Sequence, residues 1–142
     1  MPTVPTCLDT VAKNEWRSIS NGLHIMGVLK QVDKAILAAY CQAYSQWYRA
    51  QKALNAMQDA SYKDKQTGEI KKNPYGDMLT STKNGNIIQN PLIGIRNTAA
   101  RDMIKYAEIL GITPSARSRL NTNGSGKKSK TENGIIERPK TQ

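Results

Sequence analysis

The sequence has no phenylalanine, one histidine and two cysteines among its 142 residues, and its longest apolar runs are only a few residues long. Cys7 and Cys41 do not form pairs at the spacing of a zinc site, so both are expected to be reduced thiols. Runs this short exclude a membrane-spanning helix. The opening MPTVPTCLDT lacks the charged and apolar regions of an export signal, which favours a location in the cytosol.

Acidic residues are also scarce, since 11 Asp and Glu stand against 21 Lys and Arg. The formal charge is therefore +10 and the isoelectric point is about 9.8. A charge surplus of this size is unlike the balance of a typical enzyme and indicates an anionic partner, most often a nucleic acid. The alternative is a basic surface that only keeps the protein soluble.

The residues that usually carry catalysis do not form a recognisable pattern. His24 has no evident acid, base or metal-ligand partner, so a structural or merely exposed role is expected. The acidic residues show no pair at a spacing that would gather magnesium. GSGKKSK at residues 124–130 is not a phosphate loop, because that motif requires Gly in place of Asn121 and Ser or Thr in place of Lys128. The sequence therefore predicts no enzyme, no cofactor and no metal site.

Apolar residues recur every three or four positions, which predicts a mainly α fold. Asp9 is suited to cap the first helix and Gly27 to end it, whereas Asn90-Pro91 is suited to start the third. The predicted helices cover about residues 9–26, 31–60, 91–110 and 114–120. The result is a helical hairpin or bundle with one long helix.

The predicted second helix contains neither proline nor glycine and would be ~45 Å long at 1.5 Å per residue. A compact domain of this size is only ~35 Å across, so the helix must extend beyond its own core. It carries two apolar rows, and two interpretations of the second row remain open: the third helix covers it, or a neighbouring subunit does. The residues assigned to a subunit interface are Leu37, Cys41, Tyr44, Tyr48, Leu54 and Met57.

The helical period fails over residues 61–89. Within this segment Asn84-Gly85 separates two extended runs and predicts a β-hairpin over about residues 78–89, closed by a type I′ turn. GEIKKNP at residues 68–74 is echoed by GNIIQNP at residues 85–91. This echo is either a duplication or a coincidence.

The chain is expected to contain a short lead at residues 1–8, one helical core domain at residues 9–120 and a disordered basic tail at residues 121–142. Its C-terminal half is the more cationic, so basic side chains there are predicted to contact DNA phosphates. These side chains are Arg96, Arg101, Lys105, Arg117, Arg119, Lys127, Lys128 and Lys130.

Several landmarks, taken in order, resemble the helical phage terminase small subunits. They are Trp16, Leu23, Gly27, Leu29 and Asp33, then AAYCQAYSQW at residues 38–47, QNP at residues 89–91, and LGITPSARSRL at residues 110–120. The resemblance covers about residues 5–120. It implies a DNA-packaging protein in the host cytoplasm, which forms a homo-oligomeric ring, binds double-stranded viral DNA and recruits the large terminase subunit that carries the ATPase and nuclease.

The chain departs from that pattern in two places. Lys30 stands where Thr or Ser often precedes the second helix, and residues 61–89 form a longer connector than usual. Arg117 and Arg119 fall on the arginines of the terminal motif. A basic, dimeric DNA-binding regulator remains the alternative function, and a small nuclease is disfavoured by the scarcity of histidine and paired carboxylates.

Overall fold

The computed structural model describes residues 2–27, 29 and 33–119. Residues 114–119 form a short helical segment, and the residues beyond them, including Lys127, Lys128 and Lys130, lie outside the described part. The mainly helical fold with one long helix is confirmed. The elements in chain order are α1 (Thr10–Ile25), α2 (Lys34–Asp59), β1 (Ser61–Lys63), β2 (Ile70–Lys72), β3 (Leu79–Ser81), β4 (Ile87–Gln89) and α3 (Pro91–Ile109).

The first helix begins and ends at the residues that the sequence indicates. The Oδ1 atom of Asp9 accepts a hydrogen bond of 2.9 Å from the backbone N–H of Ala12, which satisfies a donor that the first turn leaves unpaired. Gly27 adopts a φ of 65° just after the helix, and its N–H donates to the His24 carbonyl at 3.0 Å. This left-handed conformation favours glycine.

The third helix has equally well-defined ends. The Asn90 side chain accepts from the N–H of Leu92 at 3.0 Å, and Pro91 occupies the first helical position. At the other end Gly111 has a φ of 72°, and the N–H of Ile112 donates to the carbonyl of Ala107 at 3.0 Å. This is the Schellman arrangement, and it turns the chain sharply toward the 114–119 segment.

The long helix α2 is covered from two sides. Leu37 and Cys41 pack against Trp16 and Leu23 of α1 and against Leu110 at the end of α3. Ala43, Ala50 and Leu54 are buried on the side of α2 that faces α3. At 100° per residue these two sets lie on roughly opposite sides of the helix.

The assignment of three α2 residues to a subunit interface is corrected by this arrangement. Leu37 and Cys41 are 0 % exposed and Leu54 is 3 % exposed, because α1 and α3 approach α2 from opposite sides and cover both rows. These three side chains belong to the core of one chain rather than to an exposed interface. Leu37 and Cys41 are covered by α1 together with Leu110 at the end of α3, whereas the sequence-based alternative to a subunit was the third helix alone.

The hydrophobic core lies at one end of the molecule. α1 begins at the level of Ser45, whose Oγ donates to the Asp9 carboxylate at 2.7 Å, and among the described helices the contact of α2 with α3 is more extensive than its contact with α1. We call α1 with residues 34–45 and 103–112 the base, residues 46–59 and 90–102 the arm, and residues 60–89 the tip. Leu8, which lies ahead of α1, joins the base core.

The tip contains two antiparallel hairpins, and only the second was predicted. Leu79 pairs with Gln89 in β3–β4, which confirms the hairpin over residues 78–89. The predicted type I′ turn is wrong, because that turn requires a positive φ at both central residues, and no described residue other than glycine has one. Gly85, with a φ of 82°, instead closes a three-residue loop, and its N–H donates to the Thr82 carbonyl at 2.9 Å.

The repeated sequence Gly-x-Ile-x-x-Asn-Pro corresponds to a repeated structure. Each copy begins with a glycine of positive φ, Gly68 or Gly85, and continues into the second strand of a hairpin, β2 or β4. Each copy ends in an Asn-Pro step at which the asparagine side chain accepts a 3.0 Å hydrogen bond from the backbone N–H two residues later. The echo therefore encodes two equivalent hairpin halves, and it was the available signal for the hairpin β1–β2.

Candidate functional site

The three predicted cationic residues of α3 do not form one patch. Arg101 and Lys105 are exposed and lie four residues apart, so they share the outer face of the helix. Arg96 is partly buried, and its Nη1 atom donates to Oε1 of Gln51 on α2 at 3.3 Å. The structure thus brings two of the three together and places Arg96 at the contact between the arm helices.

The two arginines of the 114–119 segment are exposed. Ala116, at 9 % exposure, anchors the segment from its inner side, and the Thr113 Oγ1 atom accepts from the N–H of Ala116 at 3.3 Å. Arg117 and Arg119 are separated by about 200° around a helix axis, so they project in different directions. Their contact with DNA remains a prediction.

Of the other predicted interface residues, Tyr48 and Met57 are exposed and Tyr44 is half-buried, but Met57 lies on a different side of α2 from the two tyrosines. The rings of Tyr44 and Tyr48 stack with centroids 6.2 Å apart, and Trp47 lies 6.0 Å from Tyr44. Met57 is nine residues from Tyr48 and therefore lies about 180° away around α2. Its sulfur contacts the Asn90 amide nitrogen at 3.1 Å, at the junction of the arm helices.

Each flank of the arm contains a shallow hollow. One hollow, of about 240 Å³, is lined by Trp47, Tyr48, Gln51, Lys52 and Asn55. The other, of about 270 Å³, is lined by Gln46, Arg49, Ala50, Leu92 and Ile95. The two hollows lie on opposite sides of α2, so the arm offers two different partly apolar surfaces.

The contact between α1 and α2 raises the pKa of several titratable groups. Burial raises the pKa of Cys41 to about 12, and the nearby Glu15 carboxylate adds to the effect. Burial followed by Glu15 also raises the pKa of Tyr40 to about 12, and burial raises the pKa of Glu15 itself. A thiol held in its neutral form is a poor nucleophile, so Cys41 is a packing residue.

Asp9 links α1 to α2 while it caps α1. Burial alone would raise the pKa of its carboxyl, but hydrogen bonds from Ala12, Ser45 and Gln42 and the Arg49 charge outweigh burial and hold the pKa below its ordinary value. Gln42 Nε2 donates at 3.1 Å, and a guanidinium nitrogen of Arg49 lies 3.9 Å away. This acidic residue stabilises the fold.

The remaining candidate chemistry is sparse within residues 2–27, 29 and 33–119. His24 is exposed in the last turn of α1. No group of three or more His, Cys, Asp or Glu residues in those ranges is arranged to hold a metal ion. None of the helices there has both the length and the apolar character needed to cross a membrane.

The hairpin β1–β2 carries a basic cluster that the sequence analysis missed. Residues 63–72 contain four lysines and two carboxylates, and all six strand residues of this hairpin are exposed. The signal was the local density of lysine, which disappears when charge is counted over longer segments. The cluster consists of Lys63, Lys65, Lys71 and Lys72.

These features define a small, basic, mainly helical protein in which the long helix α2 and part of α3 form a two-helix arm. Comparison with protein families makes that class specific. The family described as "Phage terminase, small subunit" matches residues 12–127, so the chain belongs to the phage terminase small subunits and has a role in phage DNA packaging. No curated protein and no solved structure gives a significant match.

Proposed function

We propose that this protein is the non-catalytic subunit of a DNA-packaging terminase in the host cytoplasm. It assembles into a homo-oligomeric ring, binds double-stranded viral DNA and recruits the large subunit that carries the ATPase and nuclease. Family membership over residues 12–127 is the observation that carries this proposal. The formal charge of +10 supports an anionic polymer as the partner.

The arm supports ring assembly. A ring is built from heterologous contacts, in which one surface of a subunit meets a different surface of the next. The two hollows on opposite flanks of α2 provide such a pair, and the aromatic one presents Tyr48, which is 39 % exposed. An aromatic side chain at the centre of an interface contributes strongly to binding.

Basic residues on the outer surface support DNA binding. Arg101 and Lys105 share a face of α3, and Arg117 and Arg119 are exposed beyond the corner at Gly111. Charged side chains of this kind neutralise phosphates without reading sequence. In a ring, each copy adds these four basic side chains to the surface that faces DNA.

Solution mass tests assembly directly. Light scattering coupled to size exclusion is expected to give a particle of many chains of 15.7 kDa each. A stable particle of one chain across micromolar dilutions would contradict the ring. A particle of two chains that binds DNA would favour the dimeric regulator instead.

A matched pair of variants locates the interface. Tyr48→Asp places a charge in the aromatic hollow and is expected to shift the particle toward single chains, because an unpaired charge is costly to bury. Tyr75→Asp makes the same change at an exposed tip tyrosine and is expected to leave the mass unchanged. Equal masses for Tyr48→Asp and the parent protein would exclude this hollow as the interface.

Recruitment is tested with the large terminase subunit of the same phage. The purified proteins are expected to co-elute, and DNA-stimulated ATP hydrolysis is expected only when the large subunit is present. ATP hydrolysis or metal-dependent DNA cleavage by the small protein alone would contradict a non-catalytic role.

A further inference from the structure

The tip hairpin β1–β2, like its neighbour β3–β4, has strands that bury none of their side chains. Ile70 is 77 % exposed and Tyr62 is 51 % exposed, and every other strand residue of this hairpin is also exposed. Hydrophobic burial therefore does not explain which side chains occupy it. The arm nevertheless presents this hairpin far from the core, at the end of a helix ~39 Å long.

The strand register determines how its lysines are arranged. Ser61 lies opposite Lys72, and Lys63 lies opposite Ile70. Opposed residues share a face of the ribbon and successive residues alternate between faces, so Lys63 and Lys72 project from the same side. They are diagonal neighbours about 7–8 Å apart.

The acidic residues of the hairpin leave this face cationic. Asp64 accepts from the Lys71 ammonium at 2.6 Å and from the N–H of Gln66 at 2.9 Å, so it is used within its own loop. Among the described residues, neither Lys63 nor Lys72 has a carboxylate oxygen within 4.0 Å. Their charges are thus available to an anionic partner.

We propose that the Lys63–Lys72 face of hairpin β1–β2 contacts the phosphates of duplex DNA. This inference rests on the proposed function, which makes DNA the partner, and it adds a contact surface on the arm. Two-stranded ribbons are narrow enough to enter the major groove of DNA, and the exposed Ile70 on the same face offers an apolar contact there. The charge of the face favours DNA over a protein partner of mixed charge.

The test measures binding of the full-length protein to a short fluorescent duplex across a series of KCl concentrations. In Lys63→Ala/Lys72→Ala, the slope of log K against log salt is expected to become shallower by about 1.8 for each hairpin engaged, since each neutralised phosphate contributes about 0.9. Arg17→Ala/Lys34→Ala removes the same charge from the base and is expected to leave the slope unchanged. Lys63→Arg/Lys72→Arg keeps the charge and is expected to keep the slope.

The outcomes separate this inference from the proposed function. If the parent protein binds DNA and Lys63→Ala/Lys72→Ala has the parent slope, the hairpin contact is overturned while DNA binding stands. If the parent protein does not bind duplex DNA even at low salt, the DNA-binding part of the proposed function fails as well. Normal DNA binding with loss of large-subunit binding in Lys63→Ala/Lys72→Ala would overturn the inference by assigning the face to a protein partner.

Discussion

Different interactions hold the base and the tip together. In the base, apolar side chains from three helices form one core, with Trp16, Leu37 and Cys41 almost fully enclosed. In the tip, all twelve strand residues are exposed, so hydrogen bonds and turn chemistry hold the hairpins. A two-stranded hairpin is only marginally stable on its own.

The side chains that stabilise the fold are therefore different from those proposed to contact partners. Burial in the base and between the two arm helices supplies the free energy of folding, whereas the exposed side chains of the arm and tip contribute little to it and can change with little cost. The aromatic hollow proposed for subunit contact and the hairpin face proposed for DNA contact lie among those less constrained side chains. Variants of the base should therefore affect unfolding, and variants of the tip should affect binding.

The largest effect is expected from Trp16→Ala in the base. Trp16 is 1 % exposed, and its removal leaves a cavity between α1 and α2 that is expected to cost about 3–5 kcal/mol of unfolding free energy. Urea denaturation followed by circular dichroism measures this loss. Tyr75→Ala in the tip should change the same quantity by less than about 0.5 kcal/mol, and a comparable loss in both variants would abolish the distinction between the two regions.

Asp9→Ala is expected to have the next largest effect and to lower the free energy of unfolding by about 2–4 kcal/mol. The substitution removes a helix cap and leaves the buried Ser45 hydroxyl without its acceptor. Since the folded-state pKa of Asp9 is lowered, its contribution is complete above the unfolded pKa of about 3.9 and is lost as the pH falls through the folded pKa.

Denaturation midpoints measured from neutral to acidic pH check the effect of Asp9. The difference between the parent protein and Asp9→Ala is expected to be constant near neutrality and to shrink in acid. A difference that grows on acidification would show that the carboxylate destabilises the fold.

Two glycines of positive φ test whether the same backbone strain has different consequences in the two regions. Alanine at Gly111 or Gly85 would be forced into a left-handed conformation, at a local cost of about 1–2 kcal/mol. At Gly111 that cost is expected in the global unfolding free energy, because the turn orders the end of α3 against the core. At Gly85 the tip can open locally instead.

Hydrogen exchange distinguishes these two responses. Gly85→Ala is expected to accelerate exchange at the backbone N–H of Asn86, while the urea midpoint stays close to that of the parent protein. If the whole cost of about 1–2 kcal/mol appeared in the global unfolding free energy of Gly85→Ala, the tip and the base would unfold as one unit.

The helices were predictable because their end signals are local. Asp9, Gly27, Asn90 and Gly111 fix the helix ends through their own backbone or side-chain geometry, so no knowledge of distant contacts is needed. The corner at residues 110–114 was predictable for the same reason. Ile112, at this corner, packs against the base core.

The partners of each helix face were not predictable, because they depend on packing between distant segments. Leu37, Cys41 and Leu54 were assigned to a subunit interface, since periodicity shows that a face is apolar but does not identify its cover. Hairpin β1–β2 was missed because its strands lack the alternation of apolar and polar residues on which strand prediction depends.

The smallest effect is expected from Lys71→Ala in the tip. The hydrogen bond from Lys71, followed by that from the Gln66 backbone, lowers the pKa of Asp64, so removal of the ammonium is expected to raise this pKa toward its ordinary value. NMR titration of the Asp64 carboxyl measures the change, with Lys83→Ala in the other hairpin as the charge-matched control. Global stability is expected to be unaffected, because an exposed ion pair contributes little to unfolding. A marked loss of stability in Lys71→Ala, with no change in Lys83→Ala, would instead make this pair a structural link between the tip and the rest of the fold.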